Sequence, residues 1–208
     1  ITHSFWLETC YLGESGVGPL DVGALRTELE RQIQGEVRFD PVSRALYATD
    51  ASVYQIEPIG VVVPRSREDL LRIVRLCAAF RCPLTMRGGG TSQAGQAIGS
   101  GLIVDTSKYL NRVIELDAEQ RWVRVEPGIV LDDLNGRLRP HGLRFAPDIS
   151  TASRATIGGM MANNSSGARS VYYGKTGDHV RTQQVVLADG AAAELSPLAG
   201  ASLEAARA

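Results

Sequence analysis

The groups best suited to chemistry in this chain are main-chain amides. Arg87-Gly88-Gly89-Gly90-Thr91-Ser92 sets consecutive glycines directly after an apolar run and follows them with two hydroxyl side chains. Without Cβ atoms, several N–H groups can converge on one anion. Charge-assisted bonds contribute roughly 1.5–3 kcal/mol each, so a cluster of them can hold a diphosphate without a lysine. Gly95, Gly99 and Gly101 prolong the stretch. A second cluster runs from Thr156 through Gly158, Gly159, Asn163 and Asn164 to Gly167. Within it Ile157, Met160 and Met161 predict a short buried helix whose first turn carries two glycines, where free N–H groups suit an anion or a polar ring edge. Upstream, Ala146-Pro147-Asp148 offers a rigid turn and one carboxylate. Either cluster alone reads equally as a loop. Together, each following regular structure, they point to one extended ligand.

Two nucleotide motifs are excluded. A dinucleotide fingerprint from Gly88 needs a third glycine where Gln93 stands, and a strand rather than a helix follows. Gly174-Lys175-Thr176 resembles the end of a P-loop, but Arg169 occupies the place of its first glycine. The titratable side chains offer less. His141 reads as a helix C-terminus, and His179 lies in the tail of the second cluster, within reach of a ligand held there. Asp132 and Asp133 diverge by about 100° on a helix and suit a solvated face. Asp105 and Lys108 read as strand-end residues, and Cys77 as packing. No catalytic residue is assigned. Cys10, Cys77 and Cys82 form no Cys-x-x-Cys pair, so neither a metal centre nor a disulfide framework follows, and free thiols fit a reducing cytoplasm. Lys+Arg is 22 against 23 Asp+Glu, net −1, and only Lys108 and Lys175 are lysines, which argues against a nucleic-acid partner. No apolar run approaches the ~18 residues of a transmembrane segment.

The elements that must position the glycines follow from periodicity. Leu20, Leu25, Leu29 and Ile33 predict a helix. Gly60–Val63 predicts a buried strand. Ser66 caps a helix with Glu68 and Asp69 in its first turn, and Pro83–Met86 predicts the next strand. Strand, helix and strand make a βαβ unit with parallel strands. Gly101–Asp105 reads as a strand, Val113–Leu116 with Trp122–Val125 as an antiparallel hairpin, and Leu131, Leu134 and Leu138 as one face of a helix. Val185–Leu195 reads as a hairpin turning at Asp189-Gly190 in a type I′ turn. The expectation is an α+β fold, a small βαβ lobe joined to a larger, mainly antiparallel one.

Taken in order, Arg87–Ser92, Ala146–Asp148, Thr156–Gly159, Asn163–Gly167, Tyr173–Gly177 and Val185–Gly190 resemble the FAD-binding domain of FAD-linked oxidases. The type is that of vanillyl-alcohol oxidase and p-cresol methylhydroxylase (PCMH), and the flavin subunits of D-lactate dehydrogenase and glycolate oxidase are the most alike. The resemblance spans about Arg38 to Leu195, in lobes of about 38–105 and 106–195. Residues 1–37 are then an N-terminal segment, and 196–208 begin the next one. It implies extended FAD between the lobes, with its diphosphate on Arg87, Gly88, Gly89, Gly90, Thr91 and Ser92, and with Gly95 permitting close approach. Pro147, Asp148, Thr156, Gly158 and Gly159 line the other side, and Asn163, Gly167 and Val180 approach the rest of the cofactor. Some relatives tether flavin through a His in the first glycine loop. None stands there here, so noncovalent FAD is expected.

The implied reaction is oxidation of a small 2-hydroxy acid (lactate, glycolate or 2-hydroxyglutarate) by hydride transfer to flavin N5. Relatives place substrate residues in a C-terminal cap domain, which nothing after Leu195 is long enough to supply. Several also carry an iron–sulfur partner or domain, and the assembly can sit at the periphery of the inner membrane. The chain is therefore expected to be part of a longer protein, inactive alone. Two other readings stay open: a noncatalytic FAD-binding electron-transfer subunit like that of molybdenum hydroxylases, and a phosphate-binding module of another class.

Overall fold

A computed structural model describes residues 20–207. The Gly-rich opening stretch, with His3 and Cys10, lies outside the described residues. Helix α1 (Val22–Gln32) starts at Asp21, whose carboxylate accepts the Ala24 N–H, and it buries Leu25 and Leu29. Strand β1 (Glu36–Arg38) leads to α2 (Pro41–Leu46), capped by Asp40. Then β2 (Gly60–Val63), α3 (Arg67–Phe80) and β3 (Leu84–Arg87) form the expected βαβ unit. Ser66 caps α3 by accepting the Asp69 N–H, as its place in the sequence predicts.

Strand β4 (Leu102–Asp105) completes a four-stranded sheet in the order β1-β2-β4-β3. β2 and β3 run parallel, yet they do not touch; β4 lies between them. Burial explains the order. Every residue of β4 is buried, as a central parallel strand requires, whereas β3 is half-buried and takes the edge. Antiparallel β1 closes the opposite edge. Alternation then sorts the side chains. Val62, Leu102 and Val104 face Leu25, Leu29 and Ile33 from the N-terminal helix and Ile73, Leu76 and Cys77 of α3. Val61, Val63 and Ile103 face the other way, against Tyr47 and Tyr109. The Asp69 carboxylate, 1% exposed, accepts N–H groups from Gln34 and Arg65, each at 2.9 Å. A buried charge is tolerable when it is bonded in this way.

The second half is built around its own core. β5 (Val113–Asp117) and β6 (Trp122–Val125) pair antiparallel. Helix α4 (Leu131–Leu138) turns Leu131, Leu134 and Leu138 inward, leaving Asp132 and Asp133 exposed. These leucines pack with Ile129, Ala155, and Ile157 and Met160 of α5 (Ile157–Ala162), and the inner residues of the hairpin lie against them. Helix α6 (Ser170–Tyr173), hairpin β7 (Gln183–Val186)–β8 (Ala192–Leu195) and α7 (Ala201–Arg207) follow. The architecture is α+β, and the antiparallel pairing of this half comes as two separate hairpins. The last turn differs from the expected type I′. Only Gly190 takes positive φ (79°), and its N–H donates to Leu187, whereas type I′ needs two such residues. Among the described residues no helix is long and apolar enough to cross a membrane.

Candidate cofactor-binding site

Arg87 ends β3 and Asp105 ends β4, side by side in register. The carboxyl ends of parallel strands are where open sheets of this kind bind ligands. A cleft of about 390 Å³ opens there. Tyr47, Arg87, Gly88, Gly89, Asp105 and Ser107 line one side; Val130, Ser153, Arg154 and Thr156 line the other. The two glycine clusters therefore meet across it. A Cβ on Gly88 would fall 2.1 Å from Thr156 Oγ1, and one on Gly89 would fall 2.2 Å from the Arg154 carbonyl oxygen. Only glycine lets these two segments approach so closely.

The first loop keeps its donors free. The amides of Gly88, Gly89, Gly90, Thr91 and Ser92 donate to no acceptor among the described residues. The loop is instead held from beneath. Arg87 Nη1 donates to the Ala97 carbonyl at 3.0 Å, so its guanidinium spans the loop base while lying 5.2 Å from the centre of the Tyr47 ring. Ala51 donates to the Gly90 carbonyl at 3.1 Å. The Ser92 hydroxyl accepts the Gln96 N–H in a local turn beside Gly95. Tyr47 donates to Asp105 Oδ2 at 2.5 Å, and the other carboxylate oxygen accepts from the Ser107 N–H and hydroxyl at 2.8 and 2.7 Å. Burial, and then this bond to the carboxylate, push the Tyr47 phenol above its ordinary pKa, so it stays a donor.

The second cluster behaves otherwise. The two glycines in the first turn of α5 were expected to offer free amides, but both are engaged. Gly158 donates to the Pro127 carbonyl at 2.7 Å and Gly159 to Thr156 Oγ1 at 3.4 Å. The first bond pins α5 to the segment before α4, and the second is the helix's own cap. Gly167 donates to Ser170 Oγ, and Asn163, exposed at the end of α5, donates to Gly159. Pro147 is buried, and Asp148 pairs with Arg169 at 3.1 Å. Val180 lines a separate cleft of about 330 Å³ with Asn164, Gly177 and Leu195.

Of the residues singled out from sequence, Arg87, Gly88, Gly89 and Thr156 converge in the first cleft. Gly90, Thr91, Ser92 and Gly95 continue its loop, and Val180 lines the second cleft. Pro147, Asp148, Gly158, Gly159, Asn163 and Gly167 line neither. His141 is exposed, and His179 packs edge-on to Phe145 with Nε2 2.6 Å from the Tyr173 carbonyl. Sequence reasoning missed Tyr47, Ser107, Ser153 and Arg154. Ser107 carried a signal, lying just past the end of a predicted strand; Tyr47 carried none. No group of three or more His, Cys, Asp or Glu side chains is placed to hold a metal among the described residues.

Unspent amides on a loop stripped of Cβ atoms suit the diphosphate of FAD, whose oxygens need donors from a backbone that can come close. Comparison with known proteins agrees. A D-2-hydroxyglutarate dehydrogenase of Escherichia coli (strain K12) is 46% identical over 175 residues, covering 82% of this chain and 17% of that protein. Glycolate oxidase subunit GlcD of Bacillus subtilis (strain 168) is 36% identical over 163 residues, covering 76% of this chain and 35% of that protein. The chain thus spans well under half the length of either relative. The fold is that of an alkyldihydroxyacetonephosphate synthase structure, which superposes with a TM-score of 0.79 at 21% identity over 92% of this chain and 38% of that one. The family described as FAD binding domain matches residues 58–196, and the chain belongs to it.

Proposed function

We propose that this chain is the FAD-binding part of a longer oxidoreductase that oxidises a D-2-hydroxy acid of the lactate, glycolate or 2-hydroxyglutarate type. The observation that carries the binding assignment is the row of free amides from Gly88 to Ser92 above the carboxyl ends of β3 and β4. The substrate class draws its support from the relatives, a D-2-hydroxyglutarate dehydrogenase and a glycolate oxidase subunit. Gly88, Gly89, Gly90, Thr91 and Ser92 hold the diphosphate above Arg87, with Gly95 allowing approach. Thr156 closes the cleft opposite. Pro147, Asp148, Gly158, Gly159, Asn163 and Gly167 shape the wall behind it, and Val180 borders the remainder of the cofactor. When bound, FAD supplies the hydride acceptor, flavin N5. This chain's part is to bind and orient. Arg87 keeps the loop open, while Tyr47 and Ser107 engage the Asp105 carboxylate and so moderate its repulsion of phosphate.

The two cores support a division near residue 105 into lobes of about 38–105 and 106–195, with Leu25, Leu29 and Ile33 from before residue 38 joining the first core, and a C-terminal cap would supply the substrate contacts. We take an iron–sulfur partner or domain as the electron outlet. The cytoplasm, at the inner-membrane periphery in the full assembly, is the proposed location; the free thiols of Cys77 and Cys82 support a reducing compartment. The loop from Arg87 to Gly101 contains no His, which supports noncovalent FAD.

The test has two stages. The chain should take up FAD on titration and release all of it on denaturation; flavin left on the polypeptide would overturn the noncovalent assignment. In the full-length protein, D-2-hydroxyglutarate, glycolate or D-lactate should bleach the flavin absorbance. Bleaching by none of them would overturn the substrate class.

A further inference from the structure

We propose that Arg154 is the cation that neutralises the diphosphate in this cleft, a role that rests on the FAD reading above. A diphosphate ester is dianionic at neutral pH, and neutral amides orient its oxygens without cancelling that charge. The charged residues lining the cleft are Arg87, Asp105 and Arg154. Asp105 is negative, and its oxygens are engaged by Tyr47 and Ser107. Arg87 offsets it, but its guanidinium is committed to the Ala97 carbonyl and to the Tyr47 ring. These two leave no net charge. No lysine lines the cleft.

Arg154 alone tips the balance. Its side chain is exposed and forms no ion pair, hydrogen bond or ring contact among the described residues. Its position is nonetheless fixed. The Arg154 N–H donates to the Thr151 carbonyl at 2.9 Å, and the following residue, Ala155, donates to the same carbonyl at 2.8 Å. Its own carbonyl lies against Gly89, where a Cβ would come within 2.2 Å. The base of an unengaged guanidinium is thereby held against the loop whose amides are free. Several other arginines, Arg67, Arg121 and Arg137 among them, also have no side-chain partner among the described residues but do not line the cleft. A guanidinium can meet phosphate oxygens with paired donors, which fits it to this task.

The experiment compares FAD with riboflavin, which has the same ring system and no phosphate, on the wild-type chain and on Arg154→Gln and Arg154→Lys. Arg154→Gln should weaken FAD binding about tenfold, leave riboflavin binding unchanged, and make FAD affinity less dependent on salt. Arg154→Lys should recover part of the loss. Wild-type FAD affinity and salt dependence in Arg154→Gln would overturn the inference, as would equal losses for FAD and riboflavin. A wild-type chain that takes up no FAD would instead overturn the FAD reading itself, and the inference with it.

Discussion

The two glycine clusters look alike on paper and are used differently. After β3, the amides of Gly88 to Ser92 face no acceptor among the described residues. Around α5, Gly158 and Gly159 donate to Pro127 and Thr156, Gly167 to Ser170, and Gly177 to Asn164. The first cluster holds a ligand surface open, whereas the second lets chain segments lie close and puts Thr156 at the cleft. What separates them is where each N–H points once the chain is folded. Density of glycine in the sequence does not report this.

That contrast can be broken by one pair of substitutions. Gly89→Val should abolish FAD retention, a loss of more than about 100-fold in affinity, with far-UV dichroism preserved, because its added carbons project into the cleft wall at Arg154. Gly167→Ala should act in the opposite sense. Its Cβ would fall 1.6 Å from the Asp148 carbonyl, so the urea midpoint should drop, with a stability loss of about 2 kcal/mol, while FAD affinity changes less. Exchanged outcomes would mean that the clusters have been assigned the wrong way round.

Tyr47→Phe sharpens the first half of the comparison. It removes the donor to Asp105 and keeps the ring beneath Arg87. Leaving a buried carboxylate oxygen without its partner should lower stability by about 1–2 kcal/mol, read by denaturant titration. FAD affinity should fall with it, since Asp105 is then less well screened from the phosphates.

The smallest effect is a stability change with no bearing on the ligand. Glu36 is held at a pKa of about 2 by the Lys108 ammonium at 2.5 Å, then by the Tyr109 hydroxyl and the Arg38 guanidinium. The folded value lies below the ordinary 4.5, so the stabilisation is complete above about 4.5 and is lost as pH falls toward about 2. Glu36→Gln should flatten that acid limb and leave FAD affinity at neutral pH unchanged, in contrast to Tyr47→Phe.

Much of this molecule was legible in its residues. The β-branched run Val61–Val63, the cap at Ser66 and the leucines of α4 each specify an element locally, and the structure contains all of them. The insertion of β4 between β2 and β3 was not legible, because strand order is decided by which strand can be buried on both faces. At the site, consecutive glycines announced the loop. Tyr47 could not be found this way, since it reaches Asp105 from 58 residues away along the chain. The engaged amide of Gly158 depends on Pro127, again a partner that only folding supplies, whereas that of Gly159 is taken by the cap Thr156, three residues upstream.

The Asp69 carboxylate bears on how much chain this fold needs. The family match opens at residue 58, yet one of the two donors to Asp69 is the amide of Gln34, and Leu25, Leu29 and Ile33 cover the sheet beside it. A polypeptide begun at residue 58 would bare that greasy face to solvent and strand an anion indoors. The cofactor-binding unit therefore owes its integrity to a helix that lies before the residues the family match takes in.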